Sequence, residues 1–164
     1  MIRKQIVILA GAALVALAGS ALATPVIGSV VAETARGTLA EPLDLREKFD
    51  PQTGVMLKSK GDIEIITQRI EATPGSSFGW HSHPGAHVNV VLEGTITLYY
   101  GKDCMTAVSY GPGESFAIDA NRIHLAHNEG DAKLVLFATY FAPKADPPLP
   151  VRVDKPLPEP GCPE

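Results

Sequence analysis

All five histidines of this 164-residue chain fall between His81 and His127. A neutral imidazole nitrogen is the commonest protein ligand for a transition metal near pH 7. His81 and His83 lie two residues apart, so on a β-strand both side chains leave from one face. Their rings could then share one ion at roughly 2.0–2.2 Å per bond. His87 has the same parity four residues further on, although the intervening Pro84-Gly85 turn makes parity suggestive rather than decisive. His124 comes from a separate stretch some way along the chain, as closing a site across an interior requires. An His-x-His pair alone is a weak signal, because a single strand histidine is usually an ordinary surface or core residue. The combination of four is what points to a metal centre. His127 is three residues from His124, has the opposite parity, and is assigned to the outer face.

Such a site needs strands around it, and the chain supplies them. Ile63 to Gln68 is rich in β-branched residues and reads as a strand. Pro74-Gly75-Ser76-Ser77 is a turn. Val88 to Tyr100 is a second β-rich run, broken at Glu93-Gly94 in a hairpin-like signal. Gly111-Pro112-Gly113 turns again. Ser115 to Ile118 and Ile123 to Ala126 are short strands, and Leu134 to Phe141 is a long apolar one. No helical periodicity runs between Asp62 and Phe141, so the body is all-β, a sandwich or barrel. Residues 24–61 form a weakly patterned N-terminal arm, residues 62–142 the barrel, and residues 143–164 a tail. Eight of the fourteen prolines lie in that tail, which should be extended and lie along the barrel surface.

The N-terminus reads as a targeting segment. Arg3 and Lys4 precede an uncharged apolar run from Ile6 to Gly19, and Ala21-Leu22-Ala23 offers a small-x-small cleavage site. Residues 1–23 are therefore expected to be a signal peptide, with an uncleaved anchor as the rival reading. Either way the folded part is exported, periplasmic or secreted, with no stable membrane insertion once the leader is removed. The chain carries a net charge of −4, and losing Arg3 and Lys4 makes it two units more negative. An acidic chain without a basic cluster argues against nucleic acid or an anionic membrane as partner. Cys104 and Cys162 can pair in an oxidising compartment, or can remain as one buried and one tail thiol.

Two motifs sharpen this reading. Gly75-x5-His81-Ser82-His83-x3-His87-x6-Gly94 and Gly113-x5-Asp119-x-Asn121-x2-His124-x3-Asn128 resemble, in order and in register, the two motifs of the cupin superfamily. The resemblance implies a cupin-type jelly-roll β-barrel with a Pro-rich C-terminal tail. It also implies one metal, held by His81, His83, the residue at position 87 and His124. The usual glutamate is His87, giving a four-histidine set like that of some manganese-binding cupins. It also leaves open three-histidine binding without His87. A neutral ligand set keeps the full charge of the ion. Asp119 and Asn121 replace the motif's Pro and Gly, and Asn tolerates the left-handed backbone region. The chain is further similar to small exported cupins that pair His81-Ser82-His83-Pro84-Gly85 with Gly161-Cys162-Pro163, which adds weight to a Cys104–Cys162 disulfide.

The expected cofactor is one divalent transition metal, manganese or iron favoured, with nickel, copper and zinc also suited to histidine ligands. The partner is a small-molecule ligand or substrate, and a homodimer is open because cupin barrels often pair through strands. Asn89, Val91 and Ala126 share the histidine parity and offer no base. Glu93 reads as an exposed turn acid. Tyr99 and Tyr140 could reach the interior. Trp80, of opposite parity to His81, is expected to pack outside, against a second subunit. Three functions follow: a dioxygenase-type oxidoreductase, a non-catalytic small-ligand binder, and a barrel merely braced by its metal.

Overall fold

Branched and aromatic residues favour a pleated, half-buried backbone, and the described residues form twelve strands and no helix. The computed structural model describes residues 23–101, 104 and 106–164. The expected signal peptide at 1–23 therefore lies, apart from Ala23, outside the described residues.

Numbered in chain order, β1 (Val30–Thr38), β4 (Ile63–Ala72), β11 (Leu134–Pro143), β6 (Ala86–Glu93) and β9 (Ser115–Ile118) form one sheet in that spatial order. A second sheet runs β12 (Val153–Asp154), β5 (Ser77–Ser82), β10 (His124–His127), β7 (Ile96–Tyr100) and β8 (Thr106–Tyr110). A separate exposed hairpin joins β2 (Asp44–Lys48) to β3 (Gly54–Lys58). Every pairing is antiparallel. The two five-stranded sheets enclose a core of Ile66, Ile70, Phe78, Val91, Leu98, Leu136 and their neighbours. This is a jelly-roll β-barrel, as the motifs implied.

The break at Glu93-Gly94 is not a hairpin. β6 belongs to the first sheet and β7 to the second, so the turn is a corner that carries the chain across the barrel. A local turn signal cannot distinguish the two cases, because partner choice depends on strands far away in sequence. The Pro84-Gly85 turn makes the same kind of crossing between β5 and β6. Gly85 is required there: a Cβ would sit 2.5 Å from the Phe141 carbonyl oxygen.

The Pro-rich tail adds to the second sheet. Val153 and Asp154 pair with Ser82 and His81, and Lys155 N–H donates to the Trp80 carbonyl at 2.8 Å. Beyond them the tail crosses the outer face of β5 and ends in the Cys104–Cys162 disulfide. Trp80 is wholly buried under this segment, packed with Leu125, Leu157 and the two cysteines. Its indole N–H donates to the Pro163 carbonyl at 2.8 Å. The expectation of a second subunit over Trp80 is thus corrected: parity placed the indole outside the barrel, and the chain's own tail covers it. At the tail's other end, Arg36 on β1 bonds Glu64 on β4 at 3.1 Å and the Leu149 carbonyl at 2.9 Å.

Candidate metal centre

His81 and His124 are direct partners in the β5–β10 ladder. In such a pair both side chains rise from the same face of the sheet, and here that face is the barrel interior. His83 lies just past the end of β5, two residues from His81, and returns to the same side. The three rings offer nitrogen atoms that all lie within 4.8 Å of one another, and all three residues are buried. Two donors around one ion at the usual bond length stand about 3–4 Å apart, so small side-chain adjustments close the set.

Each ring is held from behind. Nδ1 of His81 faces the Gly79 carbonyl at 2.7 Å, Nδ1 of His83 the Val151 carbonyl at 2.8 Å, and Nδ1 of His124 the Arg122 carbonyl at 3.0 Å. A carbonyl oxygen only accepts, so in each neutral ring Nδ1 carries the hydrogen and Nε2 keeps its lone pair. That arrangement of backing carbonyls is typical of metal-binding histidines. The turn before His124 contributes: Asn121 takes a φ of 60°, the left-handed conformation anticipated for it, and its N–H donates to the His83 carbonyl at 2.7 Å.

Burial also keeps the rings neutral. It pushes His83 and His124 down to about 4 and His87 down to about 3. His81 is likewise held well below its ordinary value, with burial the main cause and the neighbouring positive groups adding to it. Neutral imidazole is the form that binds metal.

His87 differs from the other three. It comes from β6, on the opposite sheet, and its ring centroid is 4.5 Å from that of His83 and 6.0 Å from that of His124. Its Nδ1 is buried without a hydrogen-bond partner; the Gly85 backbone nearby offsets part of the burial effect but does not meet Nδ1 at bonding geometry. Its ring stacks on Tyr140, centroids 4.8 Å apart. The group of nitrogens within 4.8 Å of one another is formed by His81, His83 and His124, and those three oriented imidazoles suit a divalent ion of the histidine-binding kind, while His87 stands beside them outside that group.

These histidines line a cavity of about 160 Å³ inside the barrel. Phe78, Ile96, Leu98, Phe116, Ile118 and Leu136 add apolar lining to it. Asn89 and Ala126 face it as their parity predicted, and Tyr140 lines it. Tyr99 does not. It lies on the outer face and donates to Glu129, while Tyr100, paired in register with His124, is the buried tyrosine of β7. His127 also stays outside, 3.4 Å from Glu129, and Glu93 is an exposed turn acid paired loosely with Lys133. Asn128, fully buried, donates to the Ala72, Thr73 and Ala132 carbonyls, so its work is to pin a turn. Sequence reasoning missed Arg152 and Gln68, which also line the cavity. Arg152 lies in the tail, where nothing in the local pattern points inward.

Residues 68–140 match the family model of the cupin domain. No protein of curated function matches the sequence. Among solved structures, the chain is similar to the polyketide cyclase RemF from Streptomyces resistomycificus, with 23% identity and a TM-score of 0.42 over 47% of this chain and 54% of that one. It is similar to a recombinant oxalate oxidase in complex with glycolate, at 20% identity and a TM-score of 0.41 over 52% of each chain. It is also similar to BH2720 from Bacillus halodurans, at 19% identity and a TM-score of 0.46 over 56% of this chain and 70% of that one. The matched region spans about half the length of the first two.

Proposed function

The chain carries a cupin domain over residues 68–140, and on that premise we propose that it is an exported, metal-dependent oxidoreductase of the dioxygenase type acting on a small organic molecule. The observation that carries this reading is the set of three buried imidazoles, each with Nδ1 donating to a main-chain carbonyl and Nε2 free toward one cavity. His81, His83 and His124 hold the ion in this reading, and His87 completes the set as a fourth, looser ligand. Manganese or iron is favoured among the metals that histidines suit. A bound redox-active ion would supply electron exchange with dioxygen and polarise an oxygen-bearing substrate. The chain's own residues orient the ligands, keep them deprotonated, and surround the site with the apolar wall that excludes water. The Cys104–Cys162 disulfide supports an oxidising, exported location. A leader at 1–23, an arm at 24–61, a barrel at 62–142 and a tail at 143–164 remain the proposed organisation.

A second reading has its own support. No aspartate or glutamate is among the described residues lining the cavity, so no carboxylate base stands beside the site, and a ligand-binding protein without turnover needs none. Elemental analysis of the purified chain, followed by oxygen uptake with phenols, diketones and flavonoids, tests both. The oxidoreductase reading expects about one metal per chain and oxygen consumption with at least one compound. Metal without uptake on any of them supports the binder, and a chain without metal overturns both metal-based readings.

A further inference from the structure

Arg152 lies in the tail and lines the same cavity as the four histidines. Its Nε donates to the exposed Asp154 carboxylate, which fixes one edge of the guanidinium toward the surface. Its Nη2 is buried and has no hydrogen-bond partner. A second donor shares this condition: Nδ2 of Asn89, from β6 on the other sheet, is also buried and unpartnered, and Asn89 lines the cavity too.

Buried donors are nearly always satisfied, so one without a protein partner in a cavity takes its acceptor from water or from a ligand. Two such donors on residues that line one cavity ask for an acceptor there, and one of them belongs to a cationic side chain. Asp154 pairs with that guanidinium at Nε from outside the lining, and no acidic residue of the described lining meets Nη2. The planar fork of arginine matches a carboxylate. The same cavity is also lined by Phe78, Leu98, Phe116 and other apolar side chains.

We propose that Arg152 and Asn89 form a carboxylate-binding subsite beside the histidine cluster, and that the ligand is a small carboxylic acid with an apolar body. The proposal deepens the metal-dependent reading above, since the acid would lie next to the ion, but the subsite itself rests on Arg152 and Asn89. The tail is therefore part of the binding site as well as a cover for Trp80. Pairing of Val153 and Asp154 with β5 sets where the guanidinium enters.

The test is calorimetric titration of the full chain with two acid–amide pairs, benzoate against benzamide and acetate against acetamide. It is run on manganese-loaded and on metal-stripped protein. The stripped protein isolates the arginine, because an ion would attract any carboxylate by itself. Wild type is expected to prefer benzoate over benzamide by at least tenfold in both forms. In Arg152→Gln that preference should fall to within about threefold in the stripped protein, with manganese stoichiometry unchanged. Arg152→Lys keeps the charge without the fork and should weaken benzoate about tenfold while leaving benzamide unchanged. It decides the matter if Arg152→Gln fails to fold. A stripped wild type that does not distinguish acid from amide overturns the subsite, as does a preference that survives Arg152→Gln. If manganese never binds but the preference depends on Arg152, the metal reading fails and the subsite stands.

Discussion

β5 and β6 each bring histidine to the cavity, but they are built on opposite principles. All six residues of β5 are buried, because its inner face meets the cavity and its outer face is covered by the tail. β6 alternates strictly, burying His87, Asn89 and Val91 while Val88, Val90 and Leu92 stand about half exposed. The histidines follow suit. His81 and His83 are tied at Nδ1 to main-chain carbonyls, one of them supplied by the tail, whereas His87 has no such partner. The strand buried on both sides carries histidines tied by hydrogen bonds, and the strand open to solvent carries one without such a tie.

The largest expected effects lie on the covered side. His83→Ala or His124→Ala should abolish stoichiometric metal, read by elemental analysis after dialysis. Full occupancy in both variants would sink the three-histidine centre. Trp80→Ala should destabilise the fold by roughly 3–5 kcal/mol, since it empties the cluster beneath the tail. Cys162→Ser should cost about 4 kcal/mol by releasing the loop closed through Cys104. Denaturant melts check both, and a loss below about 1 kcal/mol in each would mean that the tail adds little to the barrel.

On the open side the effects should be smaller and of a different kind. His87→Ala should weaken metal about 10–100-fold without removing it, the range found when a supporting group is lost. Complete loss would place His87 on a par with the other three. The surface substitution Val90→Thr should change stability by less than about 0.5 kcal/mol; a markedly larger drop would show that this half-exposed face is covered in solution.

Acid separates the regions more gently. In the unfolded chain the histidines titrate near 6.5, while burial holds His83 and His124 at about 4 and His87 at about 3 in the folded protein. Below about pH 6.5 the unfolded chain takes up protons that the metal-free fold refuses. Its stability is therefore full above that pH and declines as pH falls toward 4 and then 3. Thermal melts of stripped protein at pH 7.5 and pH 5 should differ by several degrees. His87→Gln should lessen the slope throughout the window from about pH 6.5 down to about 3, and an unchanged melting temperature in wild type would contradict burial of neutral rings.

Much of the site was legible in one dimension because it rests on period-two alternation. Parity alone placed His81, Asn89 and Ala126 inside and Trp80 and His127 outside, and the left-handed turn at Asn121 followed from residue type. Parity failed where the register had to be known: Tyr99 and Tyr100 both sat in one β-rich run, and only pairing of Tyr100 with His124 decided which faces inward. The Glu93-Gly94 corner failed for a related reason, since a turn does not say which sheet receives the next strand.

The residue types and spacings by themselves pointed to an all-β sandwich or barrel with clustered histidines and two cysteines able to pair, and the resemblance of the two motifs narrowed it to a jelly-roll barrel. They did so because strand periodicity and imidazole chemistry are local properties. Tertiary structure alone decided what covers Trp80, why His87 stands apart, and that Arg152 reaches the cavity. The first and last of those depend on where the Pro-rich tail docks and the second on which sheet receives β6, and β-pairing between residues some seventy positions apart leaves no periodic trace in the chain.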